Sequence, residues 1–92
     1  MDKLVIIPTY NEMEHSEAII RAVMHLPWDF HVLVIDDGSP DGTADIVKNL
    51  MATTYQGKLH ILERAGKLGL GTAYITGFKW AIEHKYDYIF EM

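Results

Sequence analysis

Val32-Leu33-Val34-Ile35-Asp36-Asp37-Gly38-Ser39-Pro40-Asp41-Gly42-Thr43 decides the fold of this chain. Its first four residues form an unbroken apolar run bounded by turn residues, the pattern of a strand buried on both faces. Asp36 and Asp37 follow at its carboxyl end. Ser39-Pro40-Asp41-Gly42 puts Ser, Pro and Gly where a type I turn favours them. Thr43 is placed to cap the next helix, and Asp45 falls in its positive first turn. In open α/β sheets, ligands bind outside the carboxyl ends of the strands, where the two carboxylates stand. Successive side chains on an extended backbone point to opposite faces, so one of the pair is expected to face a ligand. The plainer reading is that both acids only serve the turn.

On either side of this stretch the same alternation continues. Leu4–Ile7 is a short apolar run, expected to be a central parallel strand that Pro8 ends, since proline cannot donate to a ladder. Ser16 is the expected N-cap of a first helix, with Ile19, Ile20, Val23 and Met24 on one stripe and an end near Leu26. A second helix is predicted over about 43–54, with Val47, Leu50 and Met51 facing inward. Leu59–Leu62 forms a third strand, Gly71–His84 a third helix, and a fourth strand begins near Tyr88. The order β-α-β-α-β-α-β implies a Rossmann-like parallel α/β sheet. The third helix carries two apolar stripes, one of Leu70, Ala73, Tyr74, Gly77 and Ala81, the other of Ile75, Phe78 and Ile82. A helix apolar on two faces needs cover on two faces, so the chain reads as the front of a longer protein.

With 92 residues the chain is one domain at most, and its 49 % hydrophobic content is that of a globular protein. Thirteen acids against eight Lys and Arg give a net charge of −5, with no basic stripe for a nucleic-acid backbone. The absence of cysteine excludes disulfides and thiolate metal sites. No signal peptide precedes the first strand, and no apolar run approaches the roughly 20 residues of a membrane span. A soluble chain is expected, or one held at a membrane by something outside this sequence.

Gly69-Leu70-Gly71 invites comparison with a dinucleotide fingerprint, but Tyr74 occupies the third glycine position and the wrong strand precedes it. No phosphate-loop motif and no serine nucleophile elbow occur. The five histidines, His15, His25, His31, His60 and His84, show no metal-site spacing on one helix face. Tyr10, at a strand end, offers a flat ring for stacking. Glu12 and Asp37 are acceptors suited to base or ribose donors. Lys67 beside the glycines can meet a phosphate, and equally can be a solvated loop lysine.

Three segments in order carry a specific resemblance. They are Ile6-Ile7-Pro8-Thr9-Tyr10-Asn11-Glu12, Val34-Ile35-Asp36-Asp37-Gly38-Ser39-Pro40-Asp41-Gly42-Thr43, and Lys67-Leu68-Gly69-Leu70-Gly71-Thr72-Ala73-Tyr74 with Gly77-Phe78. Together they resemble the inverting family-2 glycosyltransferases, and among them the dolichol-phosphate (polyprenol-phosphate) mannosyltransferases. The resemblance implies transfer of mannose from GDP-mannose to a polyprenyl phosphate, with inversion at the anomeric carbon. It implies a nucleotide-sugar pocket formed by Pro8, Tyr10, Glu12, Ile35, Asp37 and, near the phosphates, Lys67. It implies a divalent metal, Mg or Mn, held by an Asp-x-Asp motif that follows the fourth strand in the family. Residues 1–92 stop at Phe90-Glu91-Met92, short of that motif. They are therefore expected to be the nucleotide-binding N-terminal half of a catalytic domain, with no catalytic or metal-ligating residue of its own and no sugar transfer alone. A location in the cytoplasm or at the cytoplasmic face of a membrane is implied, and self-association through uncovered apolar surface is expected. Transfer of glucose or an aminosugar is the alternative within the family. A non-catalytic receiver-like signalling module is the alternative outside it, opposed by Pro8-Thr9-Tyr10 where its acidic pair would stand. A nicotinamide-binding domain is opposed by the missing fingerprint.

Overall fold

The computed structural model describes residues 2–11, 13–65 and 69–92. Four strands alternate with three helices: β1 (Lys3–Thr9), α1 (Met13–Met24), β2 (Phe30–Asp36), α2 (Thr43–Thr53), β3 (Leu59–Glu63), α3 (Leu70–Glu83) and β4 (Tyr88–Glu91). All strand pairs are parallel, in the order β3-β2-β1-β4. The expected Rossmann-like α/β architecture is therefore present, with the second strand beside the first.

Strand alternation sorts the apolar residues into two cores. Val5, Ile7, Val32 and Val34 pack with Ile20 and Val23 of α1 and Val47 and Leu50 of α2. Leu4, Ile6, Leu33 and Ile35 pack on the other face with Ala73 and Ala81 of α3. Every one of these residues is buried. Burial on both faces is why β1 and β2 read as continuous apolar runs rather than alternating ones.

Three local expectations need correction. Pro8 does not end β1, because it pairs with Ile35 inside the ladder. The carbonyl of Thr9 accepts from Asp37 on the β2 side, whereas that of Ile6 accepts from Met92 on the β4 side. By alternation the nitrogen of Pro8 faces the β4 side, past the last β1–β4 pair at Ile6 and Glu91, so no ladder bond is lost. Ser16 is not an N-cap. The helix starts three residues earlier, where the Met13 N–H meets the Asp41 carboxylate, and Ser16 is buried within it. Thr43 does not cap α2 with its own oxygen. Gly42 holds the N-cap position at φ 89°, and Asp41 accepts from both the N–H and the hydroxyl of Thr43. The second stripe of α3 is left without full cover, as its two apolar faces imply: Ala73, Gly77 and Ala81 are buried, while Ile75 and Ile82 are exposed.

At the amino end of the sheet, rings from β2, β3, α3 and the segment after α3 cluster on the α3 face. Trp80 stacks on His84 with centroids 3.8 Å apart and lies 5.0 Å from His60. His31 shares a 2.9 Å hydrogen bond with the Tyr86 hydroxyl. Burial, with His31 and His84 nearby, holds the His60 imidazole below its usual pKa.

Candidate nucleotide-binding site

At the opposite, carboxyl end of the sheet, a hollow of about 230 Å³ is lined by Pro8, Thr9, Tyr10, Asp37, Gly69, Leu70 and Ala73. Complete small-molecule sites span roughly 300–1,000 Å³, so this one has the size of a partial site. Its walls come from the ends of β1 and β2 and the start of α3. That is the place where a parallel sheet presents its ligands.

The two neighbouring aspartates part company here. Asp36, at the end of β2, is fully buried, and its Oδ1 accepts from the Thr9 hydroxyl at 2.8 Å and the Ser39 hydroxyl at 2.6 Å. Its Oδ2 accepts from the Ser39 N–H at 3.1 Å. It serves the turn. Asp37 turns to the hollow, where Arg64 holds it with both prongs, Nε to Oδ1 at 2.6 Å and Nη2 to Oδ2 at 2.9 Å. The same guanidinium donates to the Thr72 hydroxyl at 3.0 Å and the Gly69 carbonyl at 3.3 Å. Arg64 thus ties together the ends of β2 and β3 and the start of α3. Such a fork fixes the carboxylate plane as well as its position.

Of the residues expected in the pocket, Pro8, Tyr10 and Asp37 line the hollow together. Ile35 does not: it is fully buried in the core between the sheet and α3. Alternation puts it on the same face as Asp37 but one layer below. Glu12 and Lys67 lie outside the described residues. Arg64 went unread in the sequence. Its signal was its place directly after the third parallel strand, at the same sheet end as Asp37.

The start of α3 also borders the hollow, through Gly69 and Leu70. Gly69, at the N-cap of α3, brings no capping side chain of its own, and the first turn lies at the positive end of the helix dipole. Among the described residues no three His, Asp or Glu side chains are placed to hold a metal ion.

The hollow at the strand ends thus combines an aromatic ring, a fixed carboxylate and a helix start. Glycosyl transferase family 2 matches residues 4–91. This chain belongs to that family. Polyprenol monophosphomannose synthase of Mycolicibacterium smegmatis is 45 % identical over 89 residues, which cover 97 % of this chain and 33 % of that protein. Undecaprenyl-phosphate mannosyltransferase of Micrococcus luteus is 44 % identical over 92 residues, covering 100 % of this chain and 37 % of that protein. A mannosyltransferase from Pyrobaculum calidifontis in complex with GDP-Man and Mn2+ superposes with a TM-score of 0.78 at 28 % identity, covering 86 % of this chain and 24 % of that one. This family-2 chain thus spans about a third of the length of the curated relatives it matches. No helix among its described residues is long and apolar enough to cross a membrane.

Proposed function

We propose that this chain binds the nucleoside part of GDP-mannose, as the nucleotide-binding portion of a mannosyltransferase whose acceptor is a polyprenyl phosphate. The observation that carries this reading is the Asp37 carboxylate, locked by Arg64 at a hollow that Tyr10 also lines. Each carboxylate oxygen can accept more than one hydrogen bond, so both retain acceptor capacity beyond Arg64. Guanine presents two adjacent donors, N1–H and the 2-amino group, which suit the two oxygens of one carboxylate. Tyr10 supplies a ring beside it, and Pro8 with Ala73 supplies apolar floor. The N–H groups at the start of α3 suit the diphosphate. Glu12 and Lys67 extend the same proposed site by the family resemblance.

The reaction proposed for the whole enzyme is a single displacement. An oxygen of the acceptor phosphate bonds to the anomeric carbon of mannose from the face opposite the nucleotide. The bond from that carbon to the diphosphate oxygen breaks, and GDP leaves with the electron pair. A divalent metal, as in the Pyrobaculum calidifontis complex with Mn2+, would supply charge stabilisation for that leaving group from outside the described residues, which contribute the nucleoside contacts. A lipid-linked acceptor places the reaction at a membrane face, proposed to be the cytoplasmic one.

Calorimetric titration with GDP, GDP-mannose and UDP tests the reading. GDP and GDP-mannose are expected to bind alike, on the order of 0.1–1 mM for a partial site, and more tightly than UDP. Equal binding of UDP and GDP, or none of either, would overturn the guanine assignment.

A further inference from the structure

We propose that Asp41 is a positioning residue for the nucleoside pocket, acting through the loop that carries Tyr10; this rests on the functional reading above. Asp41 does not line the hollow of Tyr10 and Asp37. It borders a separate shallow one with Asn11, Met13, Glu14 and His15. Its two oxygens serve two different helices. Oδ1 accepts from the Thr43 N–H at 3.1 Å and from the Thr43 hydroxyl, at the start of α2. Oδ2 accepts from the Met13 N–H at 3.1 Å, at the start of α1. Beside it the Ser39 hydroxyl accepts from the Asn11 N–H at 2.7 Å while donating to buried Asp36.

The loop after β2 therefore grips the loop after β1 at two backbone donors 28 residues away. That grip is needed, because Asn11 sits at φ 53°, a left-handed conformation that a non-glycine residue holds only when its surroundings impose it. Tyr10 lies between Thr9, anchored in the ladder, and Asn11, anchored by Ser39. Asp41 fixes the far side of the same turn. The Asp36–Asp41 stretch thus supplies one residue to the hollow, Asp37, and spends Asp36, Ser39 and Asp41 on setting its opposite wall. Hydrogen bonds from Thr43 and the backbone hold the Asp41 carboxyl below its ordinary pKa, in keeping with a group used as the anion.

Asp41→Asn separates this role from simple helix capping. An amide has one acceptor oxygen, so it can serve Thr43 or Met13 but not both, and its NH2 then faces an N–H donor. The expected result is GDP binding weakened roughly three- to tenfold, a coupling of the size transmitted between neighbouring elements. The melting temperature should change by only a few degrees, and amide exchange at Asn11 and Met13 should accelerate relative to the β1 core. Unchanged GDP affinity in a variant with accelerated exchange would overturn the positioning role. If the wild-type chain binds no GDP, the functional reading fails by itself. The clasp is then judged by exchange alone, and unaltered protection at Met13 would overturn it. Should Asp41→Asn unfold, the wild-type chain decides. The Met13 amide shift is expected to follow the Asp41 carboxyl titration measured by NMR, and separate midpoints would overturn the clasp.

Discussion

Arg64 grips Asp37 through two parallel hydrogen bonds of 2.6 and 2.9 Å, across 27 residues of sequence, with both side chains only 10 % exposed. A pair so covered is little screened by solvent, and removing one partner strands a charge. Arg64→Ala is expected to destabilise the chain by about 3 kcal/mol. Arg64→Lys keeps the charge but not the fork, and should cost less. Urea unfolding of the three proteins measures this. Equal midpoints for Arg64→Ala and wild type would show that the pair contributes nothing.

Asp37→Ala removes the acceptor assigned to the guanine edge. A hydrogen bond to a charged group is worth on the order of 1.5–3 kcal/mol, so GDP affinity should fall about tenfold or more. Because the same change leaves Arg64 unpaired, Arg64→Ala is the necessary comparison. If the two variants lose GDP binding equally, the carboxylate has no contact of its own and acts only with Arg64.

Gly77 marks where α3 comes closest to the sheet. A Cβ there would stand 2.8 Å from Cδ1 and 2.9 Å from Cγ2 of Ile6, a fully buried side chain. Alanine normally favours a helix over glycine by about 1 kcal/mol, but overpacking of this kind costs about 1–3. Gly77→Ala is expected to be net destabilising, and Ile6→Val in the same chain should recover part of the loss by removing Cδ1. Thermal unfolding of the single and double variants is the check. A more stable Gly77→Ala would mean that α3 shifts freely on β1.

Much of this arrangement was legible because it follows from local rules. Short apolar runs gave the strands, and the two-faced burial of Leu4–Ile7 and Val32–Ile35 gave a parallel sheet. Three of the misreadings concern partners distant in sequence. Ser16 looked like a cap because the actual acceptor for α1, Asp41, lies 28 residues away. Pro8 looked like a terminator because its missing N–H matters only where a neighbour pairs on that side, and the β1–β4 pairing ends at Ile6 and Glu91. Arg64 went unread because the fork to Asp37 exists only after β2 and β3 pair. Ile35 was drawn into the pocket by motif resemblance, although alternation and burial put it beneath.

His60 gives the fold a pH dependence at the end of the sheet away from the hollow. Burial lowers its folded pKa below the ordinary value of 6.5, with His31 and His84 adding to the effect. Between the folded pKa and 6.5 the unfolded chain binds more protons than the folded one, so stability rises with pH in that window. It is fully present above 6.5 and is lost as pH falls through the folded value. Asp29 and Asp41, whose pKa values are lowered from 3.8, act only at more acidic pH. Urea unfolding at pH 7.5 and 5.5 should therefore show a larger loss for wild type than for His60→Phe. Equal losses would remove His60 from the pH dependence.

The uncovered stripe of α3 and the outer edge of β4 lead to the prediction on association. Ile82 is 69 % exposed, and Tyr88, Phe90 and Met92 are each 45 % or more exposed. β4 is bonded on one side to β1 and stands at the end of the sheet order, so its outer edge offers unpaired backbone groups among the described residues. Open strand edges pair with other chains, and apolar patches above a few hundred Å² mark contact surfaces. Phe78, expected to join this surface, is half-buried against the α3 core and contributes less. A net charge of −5 opposes contact only weakly at physiological salt, where screening sets in at about 8 Å. Sedimentation over a wide concentration range is expected to show reversible self-association that Ile82→Lys and Phe90→Lys each reduce. Phe90 also packs edge-on against Phe30 at 5.6 Å, so the melting temperature of its variant must be followed as well. A wild-type chain that sediments as a monomer at every concentration would show that this apolar surface and strand edge are tolerated in water without a partner.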